Sequence, residues 1–326
     1  MRIKCTVAYE GAAYCGWQTQ KNGTSVQSVL EDVLFRITNE QIRIIGAGRT
    51  DAGVNARGQV FHLDTDRPLP EKKWKSALNS VLPEDIRIVA AEEKNEFFHA
   101  RYSVLRKQYD YRIHTGEYDI FTRHTAYQCP YPLDTARMEE ASRIFLGTHD
   151  FGSFCSNSYA ETPDQVRTVE SIVFKKEEDM LTISYTGSGF LRYMVRMMTG
   201  ALLECGRGRL DAEEIRRMLD HPDKRAARRN AAPEGLTLAK IDYYEILVRD
   251  RHTMIRKPVA EDDIAADEGT WVFTDNRTQK LLGSLVIDGE CAVWAVKKEG
   301  ISFAEDLLPV LRNYQPQLQI TMKNEQ

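Results

Sequence analysis

Residues 46–60 read GAGRTDAGVNARGQV, a glycine-rich segment between two short runs of apolar, β-prone residues. Those runs contain Ile42, Ile44 and Ile45 before the segment, and Val60, Phe61 and Leu63 after it. This pattern predicts a strand, a loop and a second strand, which is an arrangement that can hold a side chain at the floor of a cleft. Arg49 and Asp51 lie two residues apart in the loop, so we expect the guanidinium group to keep the carboxylate ionised. Aspartate is also common in glycine-rich turns because it binds backbone N–H groups, so the segment by itself leaves both interpretations open.

Size and composition place the chain among globular proteins. Its 326 residues are 42% hydrophobic, which is enough for a sizeable core and for two domains. The sequence has no apolar run of membrane-spanning length, and its start, MRIKCTVAYEG, lacks the apolar segment of a signal peptide. Six scattered cysteines form no CxxC motif, which argues against a structural metal and a disulfide framework. We therefore expect a cytoplasmic protein with reduced thiols and no membrane association.

The charge distribution does not by itself indicate a nucleic-acid-binding protein. The formal net charge is −4, and residues 247–326 contain 10 basic and 13 acidic side chains, so residues 1–246 carry a balance of only −1. Any affinity for RNA must then come from a local basic cleft and not from the whole surface.

The order of strand-like and helix-like patterns predicts an α+β protein with two pseudo-repeated halves around one sheet. We expect strands at 2–9, 86–90, 97–102, 109–114, 169–174, 181–186 and 236–244. We expect helices capped by Ser25 and Asp211, together with helices at 74–82, 135–145 and 190–204, the last ended by Gly206. The domain prediction is a catalytic domain at 1–248 (halves of about 1–114 and 115–248), a charged linker at 249–269, and a small α+β extension at 270–326. In that extension we expect strands near 270–275, 280–288, 291–298 and 318–322 and a helix at 303–312.

Several separated strings together resemble the bacterial tRNA pseudouridine synthase A family over roughly residues 1–246. The strings are Tyr9-Glu10-Gly11 with Tyr14 and Gly16-Trp17-Gln18, Ser25-Val26-Gln27, Ala47 to Val54 (AGRTDAGV), Phe98 to Arg101 (FHAR), Tyr109-Asp110-Tyr111, Phe190 to Arg196 (FLRYMVR), and Glu234-Gly235-Leu236. Two departures are Glu10, where the family usually has Asp, and Asn55, where it usually has His. An asparagine can bind backbone or phosphate, but it does not titrate near neutral pH.

The resemblance implies a pseudouridine synthase fold with a mixed, largely antiparallel central sheet. It also implies an activity, the isomerisation of uridine to pseudouridine at positions 38, 39 and 40 of the tRNA anticodon arm by a homodimer without cofactor or metal. Asp51 matches the family's catalytic aspartate, while its point of attack, on the sugar or on the base, stays open. Arg49 is expected to pair with Asp51 or to fill the space that a flipped base leaves. Tyr109 is expected to stack on the uracil and to serve proton transfer at C5.

The remaining candidate residues are substrate-binding residues. The resemblance implies that Arg196 pairs with Asp51 or its surroundings, and Leu191 is a candidate for the pocket wall. The run KRAARR contributes Lys224, Arg225, Arg228 and Arg229 as candidates for gripping tRNA phosphates. Such a run is equally consistent with a solvated surface.

Two other functions fit parts of the sequence. A catalytically inactive RNA-binding paralogue would share the fold, although Asp51, Arg49 and Tyr109 are all present. A glycosidase would normally need two carboxylates at one bond, and the next acids after Asp51, Asp64 and Asp66, follow the second predicted strand.

Overall fold

A computed structural model describes residues 1–67, 69–94, 98–226, 229–248, 253–258, 269–275, 281–288, 291–297 and 319–325. The chain forms two compact units, one of Met1–Lys94 with Arg106–Ile241 and one of Asn95–Leu105 with Asp242–Gln326. Our domain boundaries stay a prediction. Among the described residues, no helix combines the length and the apolar character needed to span a bilayer.

The first unit alternates strands and helices. Its strands are β1 (Arg2–Tyr9), β2 (Ile45–Gly46), β3 (Asn55–Asp64), β4 (Ile86–Lys94), β5 (Val104–His114), β6 (Tyr127–Gln128), β7 (Gly147–Asp150), β8 (Val166–Glu177), β9 (Met180–Gly187) and β10 (Leu236–Val248). Its helices are α1 (Val26–Thr38), α2 (Glu71–Asn79), α3 (Thr135–Ser142), α4 (Met194–Gly206) and α5 (Ala212–Asp220). Strands β5 and β10 each extend past the limits of this unit.

The sheet of this unit is mixed and mostly antiparallel, which confirms the predicted fold class. Strand β1 lies antiparallel between β3 and β4, with Cys5 paired to Phe61 and to Ala91. Strand β10 runs parallel to β3, and the order then continues β10-β5-β9-β8-β7. The pairs β5–β9, β9–β8 and β8–β7 are all antiparallel. The parallel β3–β10 pairing places the start of β10 beside the end of the glycine-rich loop.

Helix caps follow the sequence signals closely. Ser25 accepts a hydrogen bond from the Ser28 backbone N–H and forms a capping box at the start of α1. Asp211 does the same with Glu214 at the start of α5. The buried face of α1 contains Val26, Leu30, Val33 and Leu34, as its spacing predicts. The predictions of both caps are confirmed.

Three predicted elements differ from the structure. The predicted strand at 97–102 is wrong for its described part, because residues 100–103 form a turn in which the His99 ring accepts hydrogen bonds from the backbone N–H groups of Arg101 and Tyr102. Phe97 lies outside the described residues. The second predicted helix ends at Asn79, three residues early, and Val81 beyond it is exposed.

The third difference concerns α4, which begins at Met194 instead of Phe190. Tyr193 has φ +65°, which lies outside the right-handed helical region, so α4 cannot continue back through this residue. Gly206 is not the cap but the last helical residue, where a side chain would collide with Met138. The left-handed position after the helix belongs to Gly208, with φ +70°.

The second unit contains the predicted strands of the extension. Strands β11 (Thr253–Pro258), β12 (Gly269–Asp275), β13 (Leu281–Asp288) and β14 (Cys291–Lys297) follow the end of β10 in antiparallel order, and β15 (Gln319–Glu325) joins β14 in parallel. Strand β11 lies within the segment that we predicted as a linker. The predicted helix at 303–312 lies outside the described residues. Tyr243 contacts the Phe98 ring and donates to the Ala100 carbonyl at 2.8 Å.

Candidate active site

The glycine-rich loop lies between β2 and β3, at residues 47–54, and it packs directly on the segment 11–18. Gly16 has φ +102°, and a Cβ there would lie 2.7 Å from the Thr50 carbonyl oxygen. A Cβ on Gly11 would overlap the Val54 carbonyl oxygen. Both glycines of the string YEGAAYCGWQ are therefore required so that two backbone segments can approach each other.

Hydrogen bonds hold the two segments together. The Trp17 backbone N–H donates to the Thr50 carbonyl at 3.1 Å, and the Tyr9 hydroxyl and the Thr50 hydroxyl lie 2.8 Å apart in the core. From β5, the Lys107 amine donates to the Ala47 carbonyl at 3.0 Å. The backbone that carries Asp51 is thus fixed on both sides, which is what a preorganised catalytic group needs.

Asp51 pairs with Arg196, a residue 145 positions later in the sequence. Arg196 Nη1 donates to Asp51 Oδ2 at 3.3 Å, and the two side chains are 11% and 20% exposed. The Nε–H of Arg196 donates to the Ala231 carbonyl at 2.8 Å, so the guanidinium group is braced from a second side. The carboxylate is consequently held in place while part of it still reaches the surface.

Burial and charge act on Asp51 in opposite directions. Burial removes water from the carboxylate and raises its pKa above the usual value for aspartate. The guanidinium of Arg196, and more weakly that of Arg192, favours the ionised form and limits this rise. The net direction is upward, so this carboxyl group takes up a proton at a higher pH than an ordinary aspartate.

Tyr109 lies on β5, within electrostatic range of Asp51. Its ring is buried and meets Phe190 edge to face, with centroids 5.4 Å apart. Burial raises the pKa of the Tyr109 hydroxyl, and electrostatic repulsion from Tyr9 and Asp51 adds to the rise. The hydroxyl therefore stays protonated near neutral pH. Within the described part of the chain, no side chain or backbone group is hydrogen-bonded to this hydroxyl. A protonated phenol without an internal partner is available to a bound molecule.

Arg49 does not make the contact that we expected from its position. Its side chain is exposed and its Nε–H donates to Gln18 Oε1 at 3.2 Å, while Arg196 takes the place beside Asp51. The expected Arg49–Asp51 pair is therefore absent from these described residues, and the expected Arg196–Asp51 pair is present. Leu191 is buried in the segment leading into α4, where its carbonyl accepts from the Met194 N–H.

The structure shows side-chain contacts within the protein for Lys224 and Arg229, from the run of basic candidates. The Lys224 amine donates to the Gly152 carbonyl, to Cys155 Sγ and to Gln165 Oε1. Arg229 pairs with Glu204 at 2.9 Å, although its side chain is 63% exposed. Arg225 is exposed, and Arg228 lies outside the described residues. Phosphate binding by this run stays a prediction.

Asn55 closes the loop by joining three separate backbone segments. Its Oδ1 accepts from the Gly11 N–H at 2.7 Å, and its Nδ2 donates to the carbonyls of His124 and Glu234 at 2.9 and 3.1 Å. The side chain is 5% exposed. An amide is suited to this place because it offers an acceptor and two donors at once. Asn55, which stands where the family usually has histidine, thus has hydrogen-bond partners for its oxygen and its nitrogen.

We expect Asn55→Ala to lower the free energy of unfolding by about 2–4 kcal/mol, because one buried N–H and two carbonyls lose their partner. Asn55→Asp is expected to cost at least as much at neutral pH, since a carboxylate cannot donate to the two carbonyls. Urea denaturation followed by circular dichroism measures both. Asn22→Ala, at an exposed position, is the matched control and should change stability by less than about 0.5 kcal/mol. Equal denaturation midpoints for Asn55→Ala and wild type would contradict a stabilising role of the three Asn55 hydrogen bonds.

From the sequence we assigned no function to two neighbours of the site, Arg192 and Tyr193. The Arg192 and Arg196 guanidinium carbons lie 5.0 and 5.2 Å from the centre of the Tyr193 ring. Both residues belong to the string FLRYMVR, which was the available signal. The left-handed backbone of Tyr193 has no counterpart in the sequence pattern.

The site combines one carboxylate, an arginine that favours its ionised form, and a protonated phenol. A carboxylate held in this way can act as a nucleophile, as a proton acceptor or as a partner for a developing positive charge. Among the described residues, no cluster of His, Cys, Asp and Glu has the arrangement of a metal site.

Comparison with known proteins agrees with the resemblance. Residues 6–103 and 141–244 match the family model described as tRNA pseudouridine synthase. The chain is 42% identical over 246 residues to "tRNA pseudouridine synthase A" of Bacillus pumilus, an alignment that covers 74% of this chain and 99% of that protein. It is 43% identical over 243 residues to the protein of the same name from Anoxybacillus flavithermus, covering 74% and 98%.

Proposed function

Because the chain belongs to the tRNA pseudouridine synthase family, we propose that it isomerises uridine in the anticodon arm of tRNA, at positions 38, 39 and 40, with Asp51 as the catalytic carboxylate. The observation that carries this proposal is the contact between Asp51 and Arg196, in which a partly accessible carboxylate is fixed within electrostatic range of Tyr109. We also propose that the enzyme acts in the cytoplasm as a homodimer, on the ground of the family resemblance alone.

The reaction exchanges one bond for another without oxidation. The C1′–N1 bond breaks, the uracil turns in the site, C1′ bonds to C5, and the hydrogen at C5 leaves while N1 gains a proton. Asp51 supplies the negative charge next to the sugar and base, as a nucleophile or as the group that accepts a sugar proton. Arg196 favours the ionised form that either role needs.

Tyr109 is the residue that we assign to the base. Its ring can stack on the uracil, and its hydroxyl, which stays protonated, lies within electrostatic range of Asp51. Such a phenol can help to move the proton between C5 and N1. Leu191, buried at the lead into α4, forms part of the pocket wall in this proposal.

Arg49 is assigned to the RNA and not to the carboxylate. The target base is stacked within an RNA arm and must leave the stack before the reaction. An exposed guanidinium that donates to Gln18 is suited to fill the vacated space, because its planar group stacks on bases. Lys224, Arg225, Arg228 and Arg229 are assigned to tRNA phosphates, and of these Arg229 combines an exposed side chain with its position in the basic run.

The test is release of tritium from tRNA that carries 5-tritiated uridine, since C5 must lose its hydrogen when it bonds to C1′. We expect release by the wild-type protein. A transcript with cytidine at 38, 39 and 40 should give none, and restoring one uridine at a time should restore it. Release of free uracil would favour a glycosidase. A folded protein that binds tRNA and releases no tritium would be the inactive paralogue.

A further inference from the structure

Tyr193 occupies a backbone conformation that its residue type disfavours. It has φ +65° and ψ 0° at the N-cap of α4, and its side chain makes no capping hydrogen bond. Two other described non-glycine residues have positive φ. Asn39 follows the end of α1, and Glu178 lies in the hairpin turn between β8 and β9. Serine, threonine, asparagine and aspartate are the usual caps. An aromatic residue here costs strain and provides no cap, so its side chain must serve another purpose.

The ring contacts two guanidinium groups, and both of these favour the ionised form of Asp51. The Arg196 guanidinium carbon is 5.2 Å from the ring centre, and the Arg192 guanidinium carbon is 5.0 Å from it. Arg192 Nη2 also donates to the Tyr193 hydroxyl at 3.4 Å. Arg196 thus has three supports, the Asp51 carboxylate, the Ala231 carbonyl and the face of this ring. Of these three supports, the ring is the one for which the described residues also show a contact with Arg192.

We propose that Tyr193 is a positioning residue for the reaction, and that its left-handed backbone places the ring so that Arg196 and Arg192 are held towards Asp51. This inference rests on the proposed function. Asp51 is faced by these two arginines from the α4 side and by the Tyr109 hydroxyl from β5, while Arg49 on its own loop is turned to Gln18. Removing the Tyr193 ring should therefore weaken the electrostatic support that Arg196 and Arg192 give to Asp51. Tyr109 and Arg49 should stay in place.

Tyr193→Gly separates positioning from stability. Glycine adopts positive φ without strain and is tolerated at an N-cap, so we expect a melting temperature no lower than that of the wild type. The kcat for tritium release should fall roughly tenfold, as expected for the loss of a cation–π contact, with KM for tRNA unchanged. The acid limb of the kcat profile should move to higher pH, because a less well supported arginine favours the ionised carboxylate less.

Two control variants define the result. Tyr193→Phe keeps the ring and the backbone, so it should keep kcat within about twofold and the wild-type pH profile. Glu178→Gly removes the same kind of backbone strain in the turn between β8 and β9, at a residue with no part in the proposed site, and should leave kcat unchanged. Wild-type kcat and an unshifted acid limb in Tyr193→Gly would overturn the proposal, as would an equal loss in Tyr193→Phe and Tyr193→Gly.

A second readout does not depend on turnover. NMR titration of ¹³C-labelled aspartate carboxyl groups, with the Asp51 signal assigned by Asp51→Asn, should show a higher pKa for Asp51 in Tyr193→Gly than in the wild type. If the wild-type protein releases no tritium, the proposed function fails, and this titration still decides the positioning role. An unchanged Asp51 titration would overturn it.

Discussion

Asp51→Asn is expected to lower the rate of tritium release from 5-tritiated tRNA by about 10³-fold or more, because the amide can be neither a nucleophile nor a proton acceptor. The substitution keeps the size of the side chain and an oxygen that can accept from Arg196. The protein should therefore fold and bind tRNA with wild-type affinity. Single-turnover release with saturating enzyme measures the chemical step, and filter binding measures affinity.

Asp64→Asn is the matched control for this experiment. Asp64 lies at the far end of β3, is 60% exposed and pairs with Arg2 at the surface. Its replacement should leave the release rate within about twofold of the wild type, since surface ion pairs contribute little. Retention of more than a tenth of the wild-type rate by Asp51→Asn, or equal losses in both variants, would remove Asp51 from the centre of the mechanism.

The pH dependence of the wild-type rate follows from the environment of Asp51. Burial raises the pKa of this carboxyl group, and the active form in the proposed mechanism is the carboxylate. The ionised fraction therefore falls as pH drops through the raised pKa, so the acid limb should lie at higher pH than for an exposed aspartate. Asp51→Glu should still show an acid limb in its pH–rate profile. Its tritium-release rate should be much lower, because the longer side chain displaces the carboxylate.

Local signals in the sequence were sufficient for much of the fold and for part of the site. Caps such as Ser25 and Asp211 act on their own helix, so a short window of sequence contains the relevant information. The importance of the loop around Asp51 could be predicted because glycine requirements such as that of Gly16 leave a visible pattern. The Arg196–Asp51 contact came from the resemblance, since nothing local links residues 145 positions apart.

The features that could not be predicted depend on long-range geometry or on backbone conformation. Asn55 looked like a lost titratable group, whereas the fold supplies three backbone partners from distant segments. The turn near His99 looked like a strand because the side chain's bonds to nearby N–H groups are invisible in an alternating pattern. Tyr193 looked helical, whereas the structure gives it a positive φ immediately before α4.

Arg196→Met is the second substitution for which we expect a large effect, a fall in the release rate of about 10²-fold. Methionine has a similar length and no charge, so Asp51 stays buried without its cationic partner. Its pKa should then rise further than in the wild type, and the acid limb should move to higher pH. Arg196→Lys keeps the charge but loses the planar group that reaches Asp51 and Ala231 together, so it should recover only part of the rate.

The stability of Arg196→Met provides an independent check of the same contact. A partly buried carboxylate without its partner should cost about 2 kcal/mol of unfolding free energy at pH 8. Because the folded variant has the raised pKa, this loss is present above that pKa and shrinks as pH falls through it. Urea denaturation at pH 8 and pH 5 should therefore show a smaller difference from wild type at pH 5. Arg216→Met, which removes an exposed arginine of α5, should cost little at either pH. A loss for Arg196→Met that is equal at both pH values would show that the arginine supports the fold through Ala231 alone and not through the charge of Asp51.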